Sequence, residues 1–229
     1  MAALWIEFIL LFVVAPALFA FTRHRIPAIP MLWIVSGYCL FVMAHNRTRS
    51  VTGNSFSDVR LWDASGLAGE APAILGLFAV IAVMGIVLVR RYAPQSFLSF
   101  PRSKPRMWAT LMVLYPVLSV YPQGIVYRAF LFERYRSLFN ADWAIVLVSA
   151  AAFAWVHIVF RNALAVGLCF PAGLLFAARY LWTGSLVISS FEHALYGCTI
   201  FTIGLGEWFY HGAVRERVAL RAASGAGAS

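Results

Sequence analysis

The sequence predicts an all-α polytopic membrane bundle of about eight segments, and three observations carry that reading. Hydrophobic residues make up 62% of the 229 and charged residues only 12%, where soluble domains carry roughly 25% charge. Mean hydropathy is +0.80, and apolar runs long enough to cross a hydrocarbon core of ~30 Å recur along the chain. The basic residues gather at the ends of those runs, as the bias of Lys and Arg toward the cytoplasmic side dictates.

Element by element, the first span covers about Leu4 to Phe21 and closes on Arg23, His24 and Arg25. Glu7 interrupts its apolar run and no basic residue precedes it, so it is read as a retained segment and not a cleaved signal peptide. A second span runs from about Ile29 to Ala44, and His45 to Glu70 is polar and mixed in sign. A third covers Pro72 to Val89, ending at Arg90-Arg91 and a basic connector through Arg102, Lys104 and Arg106. The charge bias then puts the connectors after spans one and three inside and the N-terminus outside. Met107 to Tyr121 and Gln123 to Tyr135 form either one Pro-kinked helix or two segments meeting at Pro122. A single crossing would carry Arg134 and Arg136 outside, against the bias. Asp142 to Phe160 has Ala-rich faces suited to close helix packing, Leu164 to Leu181 follows, and Ser185 to Tyr210 is the last apolar stretch. No repeat is visible. Residues 1–212 read as one integral membrane domain, with a motif-bearing core at about 107–210 and a basic, disordered tail at 213–229.

A net charge of +9 raises nucleic acid as a partner, but all except one of the 18 basic residues are arginines placed at segment ends. Topology and anionic lipid explain that pattern, so the partner read here is the bilayer and no nucleic acid. Cys39, Cys169 and Cys198 are scattered through apolar runs and read as small core residues, without disulfide or zinc spacing.

Three polar clusters interrupt the apolar stretches: Gln123-Gly124-Ile125-Val126-Tyr127-Arg128, Phe153-Ala154-Trp155-Val156-His157, and Glu192-His193-Ala194-Leu195-Tyr196-Gly197. Ionisable groups at membrane depth are expensive and mark functional sites by default. Alone, Arg128 also fits a snorkelling arginine and His157 an ordinary hydrogen-bonded side chain. His193 sits mid-span and needs a partner. Residues four apart share a helix face, so position 124 lies under Arg128 and position 123 under Tyr127.

In order and spacing these clusters resemble the CPBP family, the CAAX-processing and bacteriocin-processing intramembrane endopeptidases. That family carries Glu-Glu-x-x-x-Arg, then Phe-x-x-x-His, then a second histidine on a later helix. The resemblance extends over about Tyr121 to Tyr210 and includes the phrase Gly204-Leu205-Gly206. It implies a hydrolase of a bacterial inner membrane, acting on membrane-associated peptides or on protein tails near a lipidated or hydrophobic site. By the same resemblance a glutamate at 124 is the general base on water, Arg128 orients it, and His157 and His193 serve the water or the oxyanion.

This chain departs from the pattern twice, with Gln123-Gly124 in place of the glutamate pair and Gly197 in place of the commoner Asn four residues after His193. Either Glu192 has taken over as base, or the chain is a catalytically inactive homologue. A peptide-binding or immunity-type membrane protein that keeps the cavity is the reading from another class. Asn162 is the one spare amide nearby. No cofactor is required. Zinc on the two histidines and a carboxylate would make a three-ligand catalytic site, but no His-x-x-x-His or His-Glu-x-x-His pair supports it and the obvious acid is missing. A haem pair on the histidines and a small-solute transporter lack any further supporting feature. The expectations to check are that Arg128, His157 and His193 converge on one cavity, and that Glu192 or backbone carbonyls contact Arg128.

Overall fold

The computed structural model describes residues 1–22, 27–47 and 60–206. The Arg23-His24-Arg25 cluster, the polar stretch 48–59, and everything from 207 onward lie outside the described residues, including Phe209-Tyr210 and the tail. Among the described residues seven helices are long and apolar enough to cross a membrane: α1 (Ala2–Thr22), α2 (Ala28–His45), α3 (Leu67–Tyr92), α4 (Pro105–Leu138), α5 (Asp142–Phe160), α6 (Ala163–Thr183) and α7 (Leu186–Ile203). The expected count was about eight. The difference falls at α4, where the two stretches around Pro122 form one continuous 34-residue helix.

How α4 carries two prolines is legible in its hydrogen bonds. A proline inside a helix has no N–H for the carbonyl four residues earlier. The turns at Pro116–Val120 and Ile125–Phe130 widen to π geometry, a common response to such defects. Pro122 orphans the Leu118 carbonyl, and Trp33 of α2 donates its ring N–H to it at 3.1 Å. Pro116 orphans the Met112 carbonyl, which the Cys198 thiol of α7 approaches at 3.9 Å. Ser36 of α2 donates to the Pro122 carbonyl at 3.1 Å. Neighbouring helices thus re-satisfy the freed backbone inside an apolar environment, as membrane helices require.

The puzzle of the outward arginines also resolves. Arg134 forms an ion pair with Glu7 of α1, at 2.7 and 3.1 Å, and Tyr135 donates to the same carboxylate at 3.0 Å. Arg136 pairs with Asp142 at the start of α5. Both charges are neutralised where they emerge, so they weigh little against the bias. At the far end of these helices Arg161 lies near the Ala20 carbonyl of α1, and Gly204, at φ +98°, packs against the Ser96 backbone, where a Cβ would overlap it.

Close packing of α5 on α6 rests on Gly173, whose missing Cβ would lie 3.0 Å from Ala150 Cα, as the Ala-rich face of α5 anticipates. The segment before α3 is pinned to the head of α7. Leu186 N–H donates to the Arg60 carbonyl at 3.0 Å, and Ser185 donates its hydroxyl to the Asp63 carbonyl at 2.5 Å. Asp63 itself accepts from the Ser65 N–H at 2.8 Å, which holds its carboxyl below the ordinary carboxylate range.

Candidate functional site

Arg128, His157 and His193 arrive from α4, α5 and α7 and meet around two phenylalanines. The widened turn Ile125–Phe130 buries all six of its residues and turns Arg128 inward, leaving it 3% exposed. Its guanidinium carbon lies 5.7 Å from the centroid of the Phe176 ring on α6. The His193 ring stacks on the same Phe176 at 4.4 Å and meets Phe153 edge-on at 5.3 Å. Phe153 also packs on His157 at 4.8 Å and on Tyr127 at 5.9 Å. Two aromatic rings thus link all three polar residues.

His157 sits where the regular part of α5 ends at Val156. Its Nδ1 lies 2.6 Å from the Phe153 carbonyl. A carbonyl only accepts, so Nδ1 carries the proton and Nε2 keeps its lone pair. Asn162, the spare amide of the sequence, is occupied differently. Its side-chain oxygen accepts from the Leu164 N–H at 3.0 Å and caps α6.

The two departures from the family pattern are both filled by neighbours. A Cβ at Gly124 would meet Arg128 Nη2 at 2.6 Å, Leu186 Cδ1 at 2.8 Å and Ser190 Oγ at 3.0 Å. Without that side chain the guanidinium lies down against the helix at 124. At Gly197 the ring and hydroxyl of Tyr115 press where a Cβ would stand, and the same ring sits 6.5 Å from that of His193. Sequence reasoning missed Tyr115 because nothing in a lone tyrosine of α4 points at α7; the signal was the glycine opposite. Gln123 donates its amide to Ser119 Oγ at 2.8 Å, while its Oε1 is buried without a partner.

Glu192 does not contact Arg128. Arg128 Nη1 instead donates to the Ser189 hydroxyl at 3.0 Å and the Ser189 carbonyl at 3.3 Å. Of the two partners anticipated from sequence, the backbone carbonyl is the one found. Glu192 is fully buried and accepts from Arg179 Nε of α6 at 2.9 Å, and Arg179 also grips Glu70 of α3. The reason is positional: consecutive residues on α7 point about 100° apart, so His193 faces Phe176 while Glu192 turns toward α3 and α6. Sequence reasoning passed over Arg179, although it lies within the α6 run. Among the described residues no group of three or more His, Cys, Asp or Glu could hold a metal ion.

Beside the site, α2, α3, α4 and α7 line an apolar groove of about 660 Å³, with Trp33, Phe78, Tyr121, Ser190, Phe191 and Ala194 among its walls. Trp62 stacks on Tyr121 at 4.8 Å and forms part of its wall.

No curated protein and no solved structure matches the chain. Residues 105–199, about two-fifths of the sequence, match the family model described as type II CAAX prenyl endopeptidase Rce1-like. That stretch runs from the start of α4 into α7 and contains Arg128, His157 and His193 with the phenylalanines that join them. Over this motif-bearing core the chain, an integral membrane protein by its seven apolar helices, is similar to the Rce1-like type II CAAX prenyl endopeptidases.

Proposed function

We propose that this chain binds hydrophobic or lipidated peptide ends in the family's cavity and hydrolyses them slowly or not at all, from within a bacterial inner membrane. One observation carries the reading: no carboxylate is placed to activate a water beside the two histidines. Position 124 has no side chain, Gln123 is an amide, and Glu192 is engaged by Arg179. General-base catalysis contributes roughly 10²–10⁴-fold, so the loss of the base alone removes most of the rate. The parts that hold and polarise a carbonyl persist. His157 Nε2 keeps its lone pair, and Arg128 and His193 supply buried donors of the kind that stabilise an oxyanion. The apolar groove supplies a surface for an acyl or isoprenoid chain, within the roughly 300–1,000 Å³ typical of ligand pockets. No step of this reading runs through a metal.

The second reading keeps the chain an endopeptidase with Glu192 as base. It draws on one observation, that Glu192 Oε1 is buried with no partner. The experiment that separates them uses the full chain reconstituted in lipid with an S-prenylated peptide carrying three further residues, followed by mass spectrometry. Binding without release of the three residues is the expected outcome. Release that disappears in Glu192→Gln would establish Glu192 as base and overturn the proposal.

A further inference from the structure

Four buried polar atoms of the site, two of them beside Gly124, have no hydrogen-bond partner. Arg128 Nε and Nη2, Ser190 Oγ and His193 Nδ1 lack partners, and their residues are only 3%, 7% and 5% exposed. The guanidinium is held through Nη1 alone, by Ser189. Among the described residues no carboxylate forms an ion pair with it. A buried charge is normally paired, and orphaned donors on this scale call for a reason. Arg128 Nη2 and Ser190 Oγ flank Gly124, and Ser190 is at the same time a wall of the apolar groove. The groove and the uncompensated cation are therefore adjacent across one side chain.

We infer that Arg128 receives a carboxylate brought by the ligand: the C-terminal carboxylate of a chain end whose last residue carries an apolar lipid that occupies the groove. The inference rests on the binding role proposed above and names its ligand. Charge complementarity selects the occupant. Where a glutamate pair stands at 123 and 124, two negative charges repel such a carboxylate and hasten its release. Here Gln123 and Gly124 are neutral, the formal charge of the site is higher by two, and the guanidinium attracts the carboxylate in a medium where charges act strongly. An apolar wall suits a lipid chain better than a run of peptide amides, which would lose their hydrogen bonds there. The reaction class that supplies such an end is hydrolysis of a peptide bond just after the lipidated residue. This chain would then hold the product of that hydrolysis.

The test uses the full chain in lipid nanodiscs and a fluorescent peptide ending in S-farnesylcysteine, as the free acid and as the methyl ester. The free acid should bind at least tenfold more tightly, and Arg128→Gln should bring the two together. Gln123→Glu, isosteric with the residue it replaces, should also narrow the ratio, with the fold checked by its unfolding temperature. Equal binding of acid and ester to the unmodified chain would overturn the inference while leaving the binding role standing. So would an acid preference that survives both variants. Binding of neither peptide would overturn both.

Discussion

Two arginines, on α4 and α6, reach partners three residues apart on α7, and they are treated in opposite ways. Arg179 is gripped by two carboxylates, Glu192 and Glu70, and ties α6 to α7 and α3. Arg128 has a serine, a phenylalanine face and two N–H groups with no acceptor. The first arrangement is one a bundle uses to hold itself together. In the second the charge is left over after folding, so a gain for the molecule must come from something bound. The difference teaches that a buried charge is not by itself a sign of function; its satisfaction tells the two cases apart.

Breaking the satisfied pair should have the largest effect. Arg179→Met leaves Glu192, fully buried, without its cation, and losing one partner of a buried pair costs about 3–5 kcal/mol. A large fall in unfolding temperature in mild detergent is the expected result. A change below about 1 kcal/mol would erase the distinction drawn between the two arginines.

A smaller loss is expected from crowding the unsatisfied cluster. Gly124→Ala pushes a methyl onto Arg128 Nη2 and Leu186 Cδ1, and overpacking of up to about 1–3 kcal/mol is offset in part by about 1 kcal/mol of helix propensity and by the freedom of both side-chain ends to move. Gly167→Ala on α6 is the control, because nothing lies within 4 Å of its Cβ position. It should be neutral or gain up to about 1 kcal/mol from helix propensity. If the two alanines behave alike by thermal unfolding, the guanidinium does not rest on Gly124.

The smallest effect on stability is assigned to Arg128→Met. The substitution removes an uncompensated buried charge, and Ser189 keeps a partner because its hydroxyl also donates to the Phe176 carbonyl at 2.7 Å. Unfolding temperature should stay level or rise, as when buried ions give way to apolar side chains of similar volume. A loss approaching that of Arg179→Met would show that Arg128 also serves the fold.

Much of this architecture was legible in the sequence because the bilayer imposes long apolar runs and charged ends. The all-α class and most span limits followed from that constraint alone, and the convergence of Arg128, His157 and His193 followed from the cost of leaving them in lipid. The count near Pro122 was not legible. Whether two prolines break a helix depends on donors from other helices, here Trp33 and Cys198, and the sequence does not say which side chains will be opposite. The pairing of Glu192 was hidden for the same reason. Its partner Arg179 is 13 residues away on another helix, and a glutamate beside His193 in sequence reads as a neighbour of the histidine cluster until the 100° turn of the helix is laid out. Tyr115 against Gly197 shows the limit most plainly, since the glycine signals a filled place but not which side chain fills it.

The central claim is that the site lacks only its base. Restoration is aimed at position 123, the other member of the family's glutamate pair, because a side chain at 124 would first have to displace Arg128 and Leu186 whereas Gln123→Glu changes charge with little change in volume. The most direct measurement is single-turnover cleavage of the S-prenylated peptide with its three further residues, by excess reconstituted protein, comparing the unmodified chain with Gln123→Glu. The account predicts cleavage roughly 10²–10⁴-fold faster in Gln123→Glu, lost again on adding His193→Ala. Equal, His193-dependent cleavage by the unmodified chain would contradict it.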